Sequence, residues 1–242
     1  MKISVVVPVR NETDNVEALI REIHQTLSSL EAYEMLFVDD GSTDDTCEKL
    51  QQIMPSYPRL RVFKHQQSCG QSRAIHTGVM AAQYPWIATL DGDGQNDPAD
   101  IPLLIAVLRQ HDAGKLWMLT GFRHQRHDSG WRKFSSKFAN AIRQGVLHDH
   151  TPDTGCGLKL FRRDKFLALP YFDHIHRFLP AMMQISGGQV ISVKVSHRLR
   201  KFGTSKYGTF DRLWQGIVDL LGVVWLKNRH SLPIVTEVSR GQ

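Results

Sequence analysis

Five short apolar runs, separated by stretches of helical period, constrain this chain more than any other feature. Ile3–Val7, Met35–Val38, Leu60–Phe63, Trp86–Leu90 and Trp117–Thr120 are four or five residues each and rich in branched or aromatic side chains. Between them Val16, Leu19, Ile20, Ile23, Leu27 and Leu30 recur at helical spacing, with Thr13 placed as N-cap. Cys47, Leu50, Ile53 and Met54 mark a second helix stopped by Pro55. Ser72–Gln83 and Ile101–Leu108 read as a third and a fourth. Strands alternating with helices demand right-handed crossovers and a mostly parallel sheet. The expected fold class is α/β, a central sheet flanked by helices. Ligands in such sheets bind beyond the carboxyl ends of the strands, and the chemistry-bearing residues fall there.

Asp91-Gly92-Asp93-Gly94-Gln95 follows the Trp86–Leu90 run. Two carboxylates one residue apart at a strand end can meet one hard divalent cation, Mg²⁺ or Mn²⁺, often completed by substrate phosphates. Asp93 is the first choice as ligand, then Asp91, with Gln95 as a further oxygen donor. A bare Asx-Gly turn is the plain alternative. The second acidic strand end is Asp39-Asp40-Gly41-Ser42, where a carboxylate can accept from a base N–H or ribose hydroxyl. A helix N-terminus explains Asp44 and Asp45, but not Asp39 and Asp40, which precede the turn. Gly70-Gln71-Ser72-Arg73 opens the third helix, and a glycine there lets backbone approach phosphate or ribose.

At 242 residues the chain is one large domain, or one domain with a short appendage. Residues 1–120 hold 10 Lys+Arg against 16 Asp+Glu, whereas residues 121–242 hold 20 against 8. The basic half points to an anionic partner. Cys47, Cys69 and Cys156 show no Cys-x-x-Cys spacing and the 12 histidines no zinc spacing, so no structural zinc is expected. Pro8 and Arg10 interrupt the first apolar run, which is not a signal peptide. The expectation is a cytoplasmic chain with reduced thiols, or one peripheral on the cytoplasmic face of a membrane.

Lys133–Leu147 reads as a helix, Phe178–Ile185 as another and Val190–Val195 as a strand. Leu213–Leu226 is apolar but 14 residues long and broken by Gln215 and Asp219, too short to cross a bilayer. Leu213, Ile217, Leu220, Leu221 and Val224 share a helical face, and Trp214, Trp225, Lys227 and Arg229 suit a membrane interface. Packing on the core, on a twin subunit in a homo-oligomer, or on a membrane surface all satisfy this pattern. The chain divides at 1–208 and 209–242 on this reading.

Val5-Val6-Val7-Pro8-Val9-Arg10-Asn11-Glu12, Val38 to Asp44, Gly70 to Gly78 and Asp91 to Gln95 together resemble family 2 glycosyltransferases of the GT-A fold. The resemblance implies that Pro8, Arg10, Glu12 and Asp39 line a nucleoside pocket, with Asp40, Gly70 and Arg73 beside the nucleotide sugar, and that Asp91, Asp93 and Gln95 hold the metal. Gly121-Phe122-Arg123, Trp131-Arg132, Ser136, Asp153-Thr154-Gly155 and Arg200 through Tyr207 are similar to the polyprenyl-phosphate branch. That branch implies that Arg123, Arg132 and Ser136 receive the phosphate of a polyprenyl phosphate, while Arg200 and Lys206 clamp donor phosphates. Asp153 stands where inverting relatives carry an acidic pair, but here without an adjacent second carboxylate. A phosphate acceptor is already ionised and needs no base. The implied activity is metal-dependent, inverting sugar transfer to a lipid phosphate. Transfer to a hydroxyl of a glycan, or a non-catalytic nucleotide-sugar sensor, are the alternatives. Nucleic acid is not an expected partner, because the basic half lacks the aromatic-basic repetition of single-strand binders.

Overall fold

The described residues of the computed structural model are 1–112, 114–123, 143–200, 209–231, 233 and 236, without the side chains of 209–214. Arg132, Ser136 and Lys206, and the expected helix up to residue 142, lie outside them; residues 143–147 are helical.

One seven-stranded sheet organises the molecule. Its strands are β1 (Lys2–Val9), β2 (Ala32–Asp39), β3 (Leu60–Lys64), β4 (Trp86–Thr89), β5 (Leu116–Arg123), β6 (Lys159–Arg162) and β7 (Gln189–Val195), in the order β3-β2-β1-β4-β6-β5-β7. β1 pairs in parallel with β2 and β4, β2 with β3, and β5 with β7. β6 runs antiparallel between β4 and β5. The sheet is thus mostly parallel, as expected, but β6 has no counterpart among the expected strands. Lys159 interrupts its apolar run, and an antiparallel insertion leaves no local signature.

Strand alternation sends side chains to two cores. Val5, Val7 and Val9 face one side, where α1 (Thr13–Leu27), α2 (Thr46–Ile53) and α4 (Ile101–Arg109) contribute Val16, Ile20, Leu50 and Leu104. Val6, Leu36 and Ile87 face the other, covered by α3 (Gln71–Ala81), α5 (Arg163–Leu167), α6 (Ile175–Ile185) and α7 (Thr209–Arg229) through Ile75, Phe166, Leu179 and Val223. Gly78 of α3 sits directly on β1. A Cβ there would stand 2.4 Å from Val6 Cγ1, so this glycine serves helix–strand packing rather than phosphate approach.

Thr13 is not the cap of α1. The cap position is Glu12, whose side chain makes no capping bond, and the Thr13 hydroxyl instead donates to Asp44 at 2.8 Å. The acidic turn after β2 captures that hydroxyl. Among the described residues no helix is long and apolar enough to cross a membrane.

Candidate active site

The strand order reverses at β1, with β2 and β3 on one side and β4 on the other. The ends of β1, β2 and β4 open into that crevice, the usual ligand position in a doubly wound sheet.

Asp39 ends β2 with no exposed surface. Its Oδ1 accepts from the Ser42 N–H at 3.0 Å and from the Ser42 hydroxyl. Its Oδ2 is buried without a partner among the described residues. A buried carboxylate oxygen without a donor costs on the order of 1–3 kcal/mol or more, and an incoming N–H or hydroxyl removes that cost.

Asp40 behaves differently. It accepts from the Cys69 N–H at 2.8 Å, the Gly70 N–H at 2.9 Å, the Ser68 hydroxyl at 2.7 Å and sits 2.8 Å from His65 Nδ1. Burial would raise its pKa, but these hydrogen bonds outweigh burial and hold it below the ordinary value. Asp40 therefore orders the loop into α3. Gly70 takes φ +88, a left-handed conformation that favours glycine, with open space around the missing Cβ. Arg73 lies over the Tyr171 ring, 3.5 Å from its centroid, rather than pointing free into the crevice.

The Asp91 to Gln95 turn follows β4. Gln71 donates to Asp91 Oδ1 at 2.7 Å, and the Asp91 N–H is held by Asn96 Oδ1 at 3.0 Å. Asp93 accepts from the Gln95 N–H at 3.1 Å. Burial, and then the neighbouring Asp93, push the Asp91 carboxyl up to about 6, against the pull of Lys159, Arg123 and Gln71. That shift corresponds to a penalty on the order of 3 kcal/mol on charging Asp91. An all-oxygen pair short of positive charge fits a hard dication. Gly157 presses against this turn: a Cβ on it would lie 2.3 Å from Asp91 Cγ and 2.5 Å from Asn96 Oδ1.

Two cations stand behind the turn. Lys159, 5% exposed, donates to the carbonyls of Cys156 and Thr154, and burial lowers its pKa. Arg123 grips Asp153 with Nε at 2.7 Å from Oδ2 and Nη2 at 2.9 Å from Oδ1, and its own N–H reaches the same carboxylate at 3.2 Å. Arg123 and Asp153, both candidates from the sequence, form one bidentate pair. His176 meets the Ser72 hydroxyl at 2.6 Å, and burial, then the Lys159 charge, keep it neutral well below its ordinary pKa.

A strap from the far end of the chain crosses the crevice. Arg200 Nη2 donates to Glu12 at 2.8 Å, and Arg198 bridges Glu22 at 2.5 Å and Asp97 at 2.6 Å. The Arg198 N–H donates to the Gln95 carbonyl at 3.0 Å. The structure thus brings together Asp39, Asp91, Asp93, Gln95, Glu12 and Arg200, with Pro8 and the exposed Arg10 at the end of β1. Gln71, Asn96, Gly157, Lys159 and His176 lie against these residues and were not foreseen. A lysine inside the apolar run Leu158-Lys159-Leu160-Phe161 was the one signal available for them.

A doubly wound sheet with acidic strand ends at its switch point is suited to holding a phosphorylated ligand through a dication. Solved structures share this fold along nearly the whole chain. Glucosyl-3-phosphoglycerate synthase from Mycobacterium tuberculosis, in complex with Mn²⁺, UDP and glucosyl-3-phosphoglycerate, superposes with a TM-score of 0.63 at 18% identity, covering 93% of this chain and 79% of that one. A mannosyltransferase from Pyrobaculum calidifontis, in complex with GDP-Man and Mn²⁺, gives 0.65 at 20% identity, covering 93% and 64%. Dodecaprenyl-phosphate galacturonate synthase of Rhizobium johnstonii is 32% identical over 238 residues, 96% of this chain and 69% of that protein. The sequence model of glycosyl transferase family 2 matches residues 4–169. The chain belongs to glycosyltransferase family 2 and is a glycosyltransferase.

Proposed function

We propose that this enzyme carries out metal-dependent, inverting transfer of a sugar from a UDP- or GDP-sugar to a polyprenyl phosphate. The observation that carries the reading is the bidentate Arg123–Asp153 pair. It leaves Asp153 engaged by a guanidinium at the position where a hydroxyl-activating base would be needed. A phosphate nucleophile requires no such base. The name of the Rhizobium relative, a dodecaprenyl-phosphate synthase, supports the same acceptor class.

Asp39 Oδ2, unpartnered among the described residues, accepts from the nucleoside. Glu12 and Arg200, joined across the crevice, close one side of the donor pocket. Asp91 and Asp93, with Gln95, would hold Mg²⁺ or Mn²⁺, which supplies neutralising charge to the departing diphosphate. Gln71 and Asn96 keep Asp91 in place. In the transfer the acceptor phosphate oxygen bonds to the anomeric carbon as the bond from that carbon to the diphosphate breaks, and the nucleoside diphosphate departs. Alignment and charge neutralisation carry the rate. Arg123, Arg132 and Ser136 are the acceptor-phosphate contacts on this reading, and Lys206 joins Arg200 at the donor phosphates.

A test incubates the purified protein with UDP- and GDP-sugars, uronic acids included, a short polyprenyl phosphate and Mn²⁺, and measures released nucleoside diphosphate. Release that needs the acceptor phosphate supports the assignment, and equal release with a dephosphorylated prenol refutes it. Asp39→Asn should raise the donor KM about ten- to a hundredfold, the range for a hydrogen bond to a charged group, without moving the acceptor KM.

The C-terminal segment, 209–242, is the membrane-facing appendage of the 1–208 catalytic domain in this proposal. α7 buries Val223 and ties Asp219 to His174 at 2.9 Å. Its other face leaves Ile217, Val218, Leu221 and Trp225 exposed. Lys227 and Arg229 close the helix, a composition suited to anionic lipid. The enzyme should co-sediment with anionic vesicles, and Leu221→Asp should reduce the bound fraction about tenfold. Unchanged binding, or self-association that Leu221→Asp abolishes, would assign the face to another partner.

A further inference from the structure

Asp40, His65 and Cys69 are 25 and 4 residues apart in sequence, yet one ligand atom from each lies within 4.8 Å of the others. We propose that they form a second metal site, for a borderline-soft dication of the Zn²⁺ type, at the loop that enters α3, distinct from the Asp91–Asp93 pair in chemistry and in residues. The donor set is one carboxylate oxygen, one imidazole nitrogen and one thiolate. Sulfur and imidazole select Zn²⁺ over Mg²⁺, which prefers oxygen alone. Three protein ligands with an open fourth position is an established tetrahedral arrangement.

The geometry needs little adjustment. Zn²⁺ bonds of about 2.0–2.3 Å place tetrahedral donors roughly 3.3–3.8 Å apart. The donors here lie within 4.8 Å, so a movement of about an ångström closes the site, and Cys69 is exposed and able to make it. His65 Nδ1 stands 2.8 Å from Asp40 Oδ1, so these two atoms part by about half an ångström to admit the ion. The ion replaces the proton between those two atoms. The donations from Gly70 N–H and Ser68 go to the other oxygen, Oδ2, and do not compete with the ion.

Thr77 completes the argument. Its hydroxyl lies 2.9 Å from His65 Nε2. A hydroxyl both donates and accepts. It serves the empty site by donating to Nε2 while Nδ1–H faces Asp40, and the filled site by accepting from Nε2–H while Nδ1 binds metal. Ligating histidines commonly have such a partner on the second nitrogen. Bound Zn²⁺ would clasp the ends of β2 and β3 to the loop that enters α3, beside Asp39 and ahead of Gln71.

The test is titration of the intact, metal-free protein with Zn²⁺ by calorimetry, and with Co²⁺ by absorption. One ion per chain is expected in a step that millimolar Mg²⁺ does not displace, with a thiolate-to-cobalt charge-transfer band. Cys69→Ser should abolish the band and the step, and Thr77→Val should weaken Zn²⁺ about 10–100-fold. Asp93→Asn should leave both unchanged, which separates this site from the expected Mg²⁺ or Mn²⁺ pair. Absence of the one-to-one step, its persistence with an unaltered band in Cys69→Ser, or its loss in Asp93→Asn would each overturn the site.

Discussion

Asp93→Asn is expected to lower turnover about a thousandfold or more, with the fold and nucleoside binding intact. Asp93 is part-exposed at the turn after β4, and among the described residues its hydrogen bond comes from two residues on, the Gln95 N–H at 3.1 Å. Asn offers the same oxygen to that N–H, so folding loses little. The charge is what disappears. Asp93 lies close enough to Asp91 to help raise that carboxyl to about 6, so the two carboxylates share one small space. A dication held by both would supply several kcal/mol of leaving-group stabilisation, and roughly 4 kcal/mol is a thousandfold in rate. Steady-state kinetics with Mn²⁺, beside calorimetric binding of UDP or GDP, would check it. Turnover above a tenth of the parent's, or full activity in EDTA, would place the cation elsewhere.

Gly157→Ala carries the second-largest expected effect, at a residue with no functional group. Its new Cβ would stand 2.3 Å from both Asp91 Cγ and Oδ2. That separation is impossible, so Asp91 or the strand end must move. Asp91 is not free to swing, since Gln71 and Asn96 hold its carboxylate and its N–H. Overpacking of this kind costs about 1–3 kcal/mol, a Tm lower by roughly 2–10 °C at this chain length. Displacing a catalytic group by about 1 Å can cost a hundredfold in rate. Thermal denaturation and kcat measured on the same preparation would separate the two effects. A variant that turns over like the parent would show that the Asp91 position is unimportant.

Much of the fold was legible because its strands are buried on both faces. Ile3–Val7, Met35–Val38 and Trp86–Leu90 each read as largely apolar runs, and the structure makes them β1, β2 and β4. Their order and the position of β6 were not legible. β6 pairs with β4 and β5 across more than 30 intervening residues, and hydrophobic period carries no information about which edge a strand joins. The same limit applies to the site. Asp39 could be singled out because it ends a run. Asp40, one residue on, looked equivalent, and only the loop folded over it shows that four donors occupy it. Arg123 and Asp153 each read as functional, and their pairing appears only when β5 and the 153–157 loop come together.

By itself the sequence determined the α/β class, the family and the acidic strand ends, because buried runs and strand-end carboxylates are local patterns that survive without neighbours. Tertiary structure alone decided which carboxylates stay available. Burial, like-charge proximity and donor count set the state of Asp39, Asp40, Asp91 and Asp153, and all three depend on segments distant in the chain. Electrostatic energy falls with distance in space, not with separation along the backbone, so Lys159 and Gly157 became part of the site only when β6 slid in beside β4.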